Sequence, residues 1–399
     1  MLPRGGIDLR GGYQPAAEQV LHLQRELHAR PEATCAPAVT RCPARAIPIS
    51  FVFRCIAAAA VAVAGCRANE DAVAPPPPQR APRPIRLSGE VFLEDDLLGS
   101  PRAMAVLGED LVVLDEHTSP AVHVVRRADG VRVRAFGRKG SGPREFRNPR
   151  GVDPVAGSPE FWVYDDQLQR LVHVDLRRDT AAVGDRSVSL RSDQLPLRAV
   201  WAGDGTILSS GLFGGGRLGR FDRTGRLVGT TGRVPPGAKG PPSVVQHAYT
   251  GTLVARPDRQ RFALLTRHAD RVELFDAHGR PLLAVTGPAG FLPIYQVRSR
   301  SGYPTMASGE DLRFGYVDAT ATNASIYGLY SGRARGEIPG YAFYGTFVHE
   351  YDWEGRLRRV FKLDAYAIGI AVDPEGSTLY ASRLYPTPAI LRYRLPPER

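Results

Sequence analysis

The stretch Ile370-Ala371-Val372-Asp373-Pro374-Glu375-Gly376-Ser377-Thr378-Leu379-Tyr380-Ala381 decides the fold. Two short apolar runs flank a turn with Asp first, Pro second and Gly fourth, the preference of a type I β-turn. Such a turn joins two antiparallel strands. Related turns follow short apolar strands at Gly108-Glu109, Asp153-Pro154, Gly203-Asp204-Gly205, Arg256-Pro257-Asp258 and Val317-Asp318. They recur at intervals of roughly fifty residues, a period that marks repeated four-strand units.

A second ladder runs beside the first. Phe221-Asp222-Arg223-Thr224-Gly225, Phe275-Asp276-Ala277-His278-Gly279 and Tyr351-Asp352-Trp353-Glu354-Gly355 share an aromatic-Asp-x-x-Gly pattern. Weaker versions occupy Val125 to Gly130 and Val174-Asp175, and Tyr393 falls where the sixth belongs. Both ladders count six. Alternation before these turns has period two, as in Val272-Glu273-Leu274-Phe275. The reading is an all-β, six-bladed β-propeller of four-stranded antiparallel blades. The last blade runs out after three strands at Leu395, so Ile85–Leu93 is expected to supply the missing outer strand and close the ring. An insertion, Ser331 to Tyr344, is placed in blade five. A closed ring without exposed edges is expected to be a monomer.

Phe136-Gly137-Arg138-Lys139-Gly140-Ser141-Gly142-Pro143-Arg144-Glu145-Phe146-Arg147-Asn148-Pro149-Arg150-Gly151-Val152 resembles the NHL-repeat signature, a Phe-Gly pair, a Gly-rich turn, then Phe, Pro and Gly-Val. Arg144 stands where that family usually has glycine. The full motif occurs once, and the chain as a whole resembles the broader six-bladed, TolB-like propeller class found in bacterial lipoproteins. That resemblance implies a binding scaffold, because the class has few shared active-site residues.

Val63-Ala64-Gly65-Cys66 closes the apolar run Cys55 to Ala64 and resembles a lipoprotein cleavage box. Arg41, Arg45 and Arg54 supply a charged n-region, the apolar run an h-region, and Ala64-Gly65 the small residues before the cut. Ten apolar residues are too few to span ~30 Å of hydrocarbon. The expected organisation is an untranslated or disordered extension over 1–38, with translation starting near Val39. A signal peptide follows over 39–65, then lipidated Cys66 with a proline-rich linker over 66–84, and the propeller over 85–399. Four consecutive prolines favour extended polyproline II, a semi-rigid spacer. The address is the bacterial cell envelope, with the outer membrane favoured because Arg67, and not Asp, follows the cysteine.

All four cysteines lie at or before position 66, so disulfides and Cys-based zinc sites are excluded from the body. Residues 1–80 hold 9 Arg and 6 acidic residues, which leaves 43 basic and 35 acidic residues, a net charge of +8. Lys139, Lys239 and Lys362 are the only lysines. An exported protein with so modest a charge is not expected to bind nucleic acid. No G-x-S-x-G, H-E-x-x-H or EF-hand spacing occurs. The G-x-G-x-x-G at Gly214 to Gly219 lies between two strands and reads as a hairpin, since a dinucleotide fingerprint needs a helix after it. No catalytic residue, cofactor or metal is assigned.

The candidate binding residues are Arg102, Arg150, Arg198 and Arg313, each read at the start of an inner strand. Four guanidinium groups around one channel mouth would pair bidentately with carboxylate or phosphate. The expected function is a non-catalytic scaffold for a protein or anionic ligand. The alternative is a calcium-dependent, lactonase-like hydrolase on the same fold, in which inner-strand carboxylates would ligate the ion. Asp115 and Asp165, at the ends of second strands, read as turn caps instead.

Overall fold

The aromatic-Asp-x-x-Gly motif works as a local device. Asp352 accepts the backbone N–H groups of Glu354 (3.1 Å) and Arg356 (2.8 Å), and Gly355 takes a φ of 80°. Asp222 and Asp276 cap their turns the same way, onto Thr224 and Arg226 and onto His278 and Arg280. The preceding Phe221, Phe275 and Tyr351 are buried. Glycine is required in the first of these turns twice over. Its φ is left-handed, and a Cβ on Gly225 would sit 2.1 Å from the Ser189 carbonyl of the preceding blade.

A computed structural model describes residues 76–178, 183–235, 237–300 and 302–398. The expected extension, signal peptide and Cys66 lie outside the described residues. Four antiparallel strands make each of the first four blades. Blade one is Pro101–Leu107, Asp110–Asp115, Val122–Arg126 and Arg132–Phe136; blade two is Pro149–Pro154, Glu160–Asp165, Arg170–Asp175 and Val183–Ser189. Blade three is Leu195–Trp201, Ile207–Phe213, Gly216–Phe221 and Leu227–Thr231; blade four is Gly251–Ala255, Arg261–Thr266, Arg271–Asp276 and Pro281–Thr286. Blade five holds Tyr316–Ala321, Ser325–Tyr330, Gly345–Asp352 and Leu357–Ala367, and blade six holds Gly369–Val372, Thr378–Arg383 and Ala389–Arg394.

Glu90–Leu93 pairs antiparallel with Ala389–Arg394 as the fourth strand of blade six. Ile85–Leu93 is not one strand, however. Ile85–Arg86 pairs parallel to Phe361 and Lys362, outside blade five. The chain changes blades at Ser88-Gly89, where both residues donate to the Asp364 carboxylate (3.3 and 3.1 Å). Gly89 lies so close to the Tyr393 ring that a Cβ would be 2.6 Å from it.

A buried apolar cluster fills each seam between blades. Val122, Phe146, Phe161 and Val172 join blades one and two, and Ile207, Phe221, Tyr164 and Leu171 join two and three. Phe262, Leu264 and Leu208 join three and four; Leu265, Tyr316 and Tyr351 join four and five; Phe361, Leu379 and Tyr393 join five and six. The sixth seam, between blades six and one, combines Phe92, Tyr380, Leu111 and Val113. Strand faces thus point at neighbouring blades, and the free edges of the inner strands line the axis.

Four further features depart from the sequence reading. Val317-Asp318 is not a turn: Asp318 lies inside the inner strand of blade five, and the turn falls at residues 322–324. A helix, Pro242–Ala248, precedes blade four, and a hairpin, Gln296–Arg300 with Tyr303–Ala307, precedes blade five. Residues 76–84 are also not a free spacer. The Gln79 side chain donates to the Gly355 carbonyl (2.8 Å) and accepts from Leu357 N (2.8 Å), while its own N–H bonds Thr286 O (3.2 Å).

Gln79→Ala removes two side-chain hydrogen bonds in a half-buried seam and should cost about 1–2 kcal/mol in urea denaturation. Truncation to Ser100 should do far more, lowering the melting temperature sharply or causing aggregation, because it bares the Ala389–Arg394 edge. Equal melting of that truncation and the full chain would show that the ring does not depend on this strand.

Candidate functional site

The channel is the one place where all six blades meet. From the fourth residue of Leu195–Trp201, Arg198 reaches past Gly151 of blade two and pairs with Asp318 of blade five (3.1 Å). Asp318 also accepts the Ile370 N–H of blade six (3.0 Å). One ion pair therefore ties blades three, five and six across the axis. On the turn side of this pair opens a cavity of about 780 Å³, walled by Ala105, Val152, Val254, Ala319 and Val372. Arg259 guards its rim. It bonds Asp153 (2.5 Å) and the Pro154 carbonyl, while Asp153 accepts Trp201 N (2.8 Å), clipping blades two, three and four together.

The strand-start side carries the predicted arginines. Arg102 and Arg150 converge on a single carboxylate, Glu116, at 2.7 and 2.8 Å. Asp166 lies 3.8 Å from Arg150 and accepts the Asn148 amide (2.6 Å). Burial disfavours the charge on Arg198 despite Asp318, and Arg150 and Arg267, which arrives from the end of a second strand, add to this. Arg313 does not join them. It pairs with Glu337 at 3.1 Å, donates to the Gly332 carbonyl (2.7 Å) and lies over the Phe291 ring, 39% exposed. The misplaced turn at Asp318 moved the inner strand in the sequence reading and brought Arg313 onto it by mistake. The ring is also not bare charge. Three arginines face three carboxylates: Glu116 and Asp166 follow second-strand ends, and Asp318, which the turn pattern took for a turn residue, lies in an inner strand.

Electrostatics divides these carboxylates. Burial alone would raise Glu116, but Arg150 and Arg102 overcome it and hold its pKa below the ordinary range. Asp166 is pushed up to about 6 by burial, against the pull of Arg150 and the Asn148 hydrogen bond. Asp318 is raised by burial despite Arg198. His247 and His268 border the same region, and burial lowers them to about 4 and about 3, so both are neutral near pH 7.

Asp115 and Asp165 are fully occupied by backbone. Asp115 accepts from Gly99, Ser100, His117 and Thr118, and Asp165 from Arg147, Asn148, Gln167 and Leu168. Among the described residues, no group of three His, Cys, Asp or Glu side chains is placed to hold a metal. Gly214-Gly215 forms the turn between two strands of blade three. The insertion over residues 331–344 gathers aromatics: Tyr341 packs on Tyr366 (5.8 Å) and Tyr385 (5.4 Å), and Arg333 lies over Tyr366 (5.2 Å).

These features define a six-bladed propeller with a charge-paired channel mouth. The chain belongs to the TolB-like six-bladed propeller family, whose model matches residues 85–375. No curated protein matches the sequence. Among solved structures, Kuenenia stuttgartiensis hydrazine synthase is similar at 12% identity and a TM-score of 0.43, covering 76% of this chain and 97% of that one. The β-propeller domain of Myceliophteria thermophila Cps50 (Swd1) is similar at 11% identity and a TM-score of 0.46, covering 77% and 100%.

The Arg198–Asp318 pair gives a direct test of the channel. Arg198→Met leaves Asp318 buried without its cation and should destabilise the chain by about 3–5 kcal/mol. Adding Asp318→Leu should recover most of that loss in urea denaturation. A double variant no more stable than the single one would show that the pair does not bridge the axis.

Proposed function

We propose that the chain is a non-catalytic binding scaffold, held in the bacterial envelope by acyl chains on Cys66, whose strand-start mouth takes an acidic group of a ligand or protein partner. The observation that carries this reading is the convergence of Arg102, Arg150 and Arg198 from three different blades on one side of the channel. Each guanidinium already pairs with a carboxylate, so the mouth is a site of exchange: an incoming anion replaces a resident one. Asp166 is the resident group easiest to displace, because burial already opposes its charge.

Acidity should therefore control binding. The folded pKa of Asp166, about 6, lies above its ordinary value of 3.8, so its charged form costs stability above pH 6 and that cost fades as pH falls through 6. Protonation removes one negative charge beside Arg150. Sulfate keeps its charge across this range and serves as the probe. Calorimetry should show tighter sulfate binding at about pH 5 than at about pH 7.5. Asp166→Asn should bind tightly at both, and Arg150→Ala should release no heat at either, with Glu116 still paired to Arg102. Sulfate binding by Arg150→Ala equal to that of the parent would place the anion site elsewhere.

The anchor makes a separate prediction. Two acyl chains suffice for stable membrane residence, at ~0.8 kcal/mol per buried CH₂. Labelled fatty acid should enter the parent chain and be absent from Cys66→Ala. Equal labelling of both would remove the lipid anchor.

A further inference from the structure

We infer that the hairpin Gln296–Arg300 and Tyr303–Ala307, with the apolar segment leading into it, is the face that this protein lays on the lipid surface. The inference rests on the anchor reading above and adds an orientation to it. Of the fourteen large hydrophobic residues that stand exposed among the described residues, six fall between positions 282 and 303: Leu282, Leu283, Leu292, Ile294, Val297 and Tyr303. The stretch from 277 to 309 contains no Asp or Glu, and the hairpin adds Arg298 and Arg300. Exposed aliphatic side chains, a tyrosine and two arginines, in a stretch of sequence that holds no acidic residue, match the chemistry of an interface between acyl chains and anionic headgroups.

What commits the face to lipid is the route of the chain. The described residues begin at Pro76, and Pro78 lies against Gly290, where a Cβ would be 2.6 Å from its ring. Gln79 bonds Thr286 in the same segment. The chain upstream therefore leaves the body beside the apolar face. Nine residues lie between Cys66 and Pro76, a reach of at most about 35 Å when fully extended. A tether this short, starting at this edge, brings this face to the bilayer before any other. The hairpin is also firmly mounted: its Met306 packs with Val245, Ala248 and Tyr249 around the helix Pro242–Ala248, and Val297 covers Gly240.

The test uses the acylated protein in vesicles. Cleavage and acylation at Cys66 leave no free thiol, so Leu292→Cys, Ile294→Cys and Val297→Cys each offer one site for an environment-sensitive dye. Val133→Cys, exposed on the outer strand of blade one, is the reference. With quencher-bearing lipids, dye at 292, 294 and 297 should lose most of its fluorescence while dye at 133 keeps its own. Quenching at the three positions no greater than at 133 overturns the docking alone, and a protein partner would then be the better occupant. Dye uptake by the parent chain marks Cys66 as unacylated and overturns the anchor, and the docking with it.

Discussion

A blade of this ring has two apolar faces and can bury them only against two neighbours. Stability is therefore a property of closure, since a gap at any seam would bare two faces at once. The seam between blades six and one shows how the demand is met. Phe92 and Leu93, from the start of the described body, pack with Tyr380 and Ile390 from its end and with Leu111 and Val113 of blade one. The Phe92 and Tyr380 rings lie tilted at 60° with centroids 5.1 Å apart. Glu90–Leu93 and the last strand, Ala389–Arg394, are thus neighbours by necessity, and the Gly89 crossing that lets one segment serve two blades follows from the same constraint.

Arginine does the second part of this work. Arg127 of blade one pairs with Asp373 of blade six, and Arg261 of blade four reaches the Trp353 carbonyl of blade five. Arg217, almost wholly buried, holds Glu273 and the Tyr249 carbonyl, joining blade three to blade four. The guanidinium fork suits these seams because one side chain satisfies several acceptors in a fixed plane. Part of a composition that looked like surface charge is thus internal clips.

What was legible in the sequence was local. Aromatic-Asp-x-x-Gly could be read because the caps of Asp222, Asp276 and Asp352 close within five residues, and glycine's left-handed φ leaves its mark at a fixed offset. The repeat ladder, and with it the six blades, rests on such signals. Asp318 defeated the same logic. An Asp after a short apolar strand looks like a turn residue, but this one has a partner 120 residues away in Arg198, and no local pattern encodes that. The error carried Arg313 into the proposed ring and left out Arg267. Glu116 and Asp166 were missed for a related reason: they sit just after the capping residues Asp115 and Asp165, and only their positions in space separate function from capping. The Gln79 contact and the Gln296–Ala307 hairpin leave almost no trace, one being a single tertiary seat and the other two five-residue strands with neither face buried in the ring.

The molecule divides its tasks along these lines. Apolar seams and arginine clips make the ring, and the Arg198–Asp318 pair crosses its axis at the floor of the turn-side cavity. The segment from Leu282 to Tyr303 is a different surface, touched by Pro78 and Gln79 and without acidic residues over a long stretch of sequence. Substitutions at Arg150 or Asp166 touch neither Pro78 nor the hairpin, so the surfaces proposed for attachment and for recognition can vary independently on one scaffold. That independence follows from the ring itself: each blade is fixed by its two neighbours, and what its outer edge carries has no means of reaching the axis except by breaking a seam.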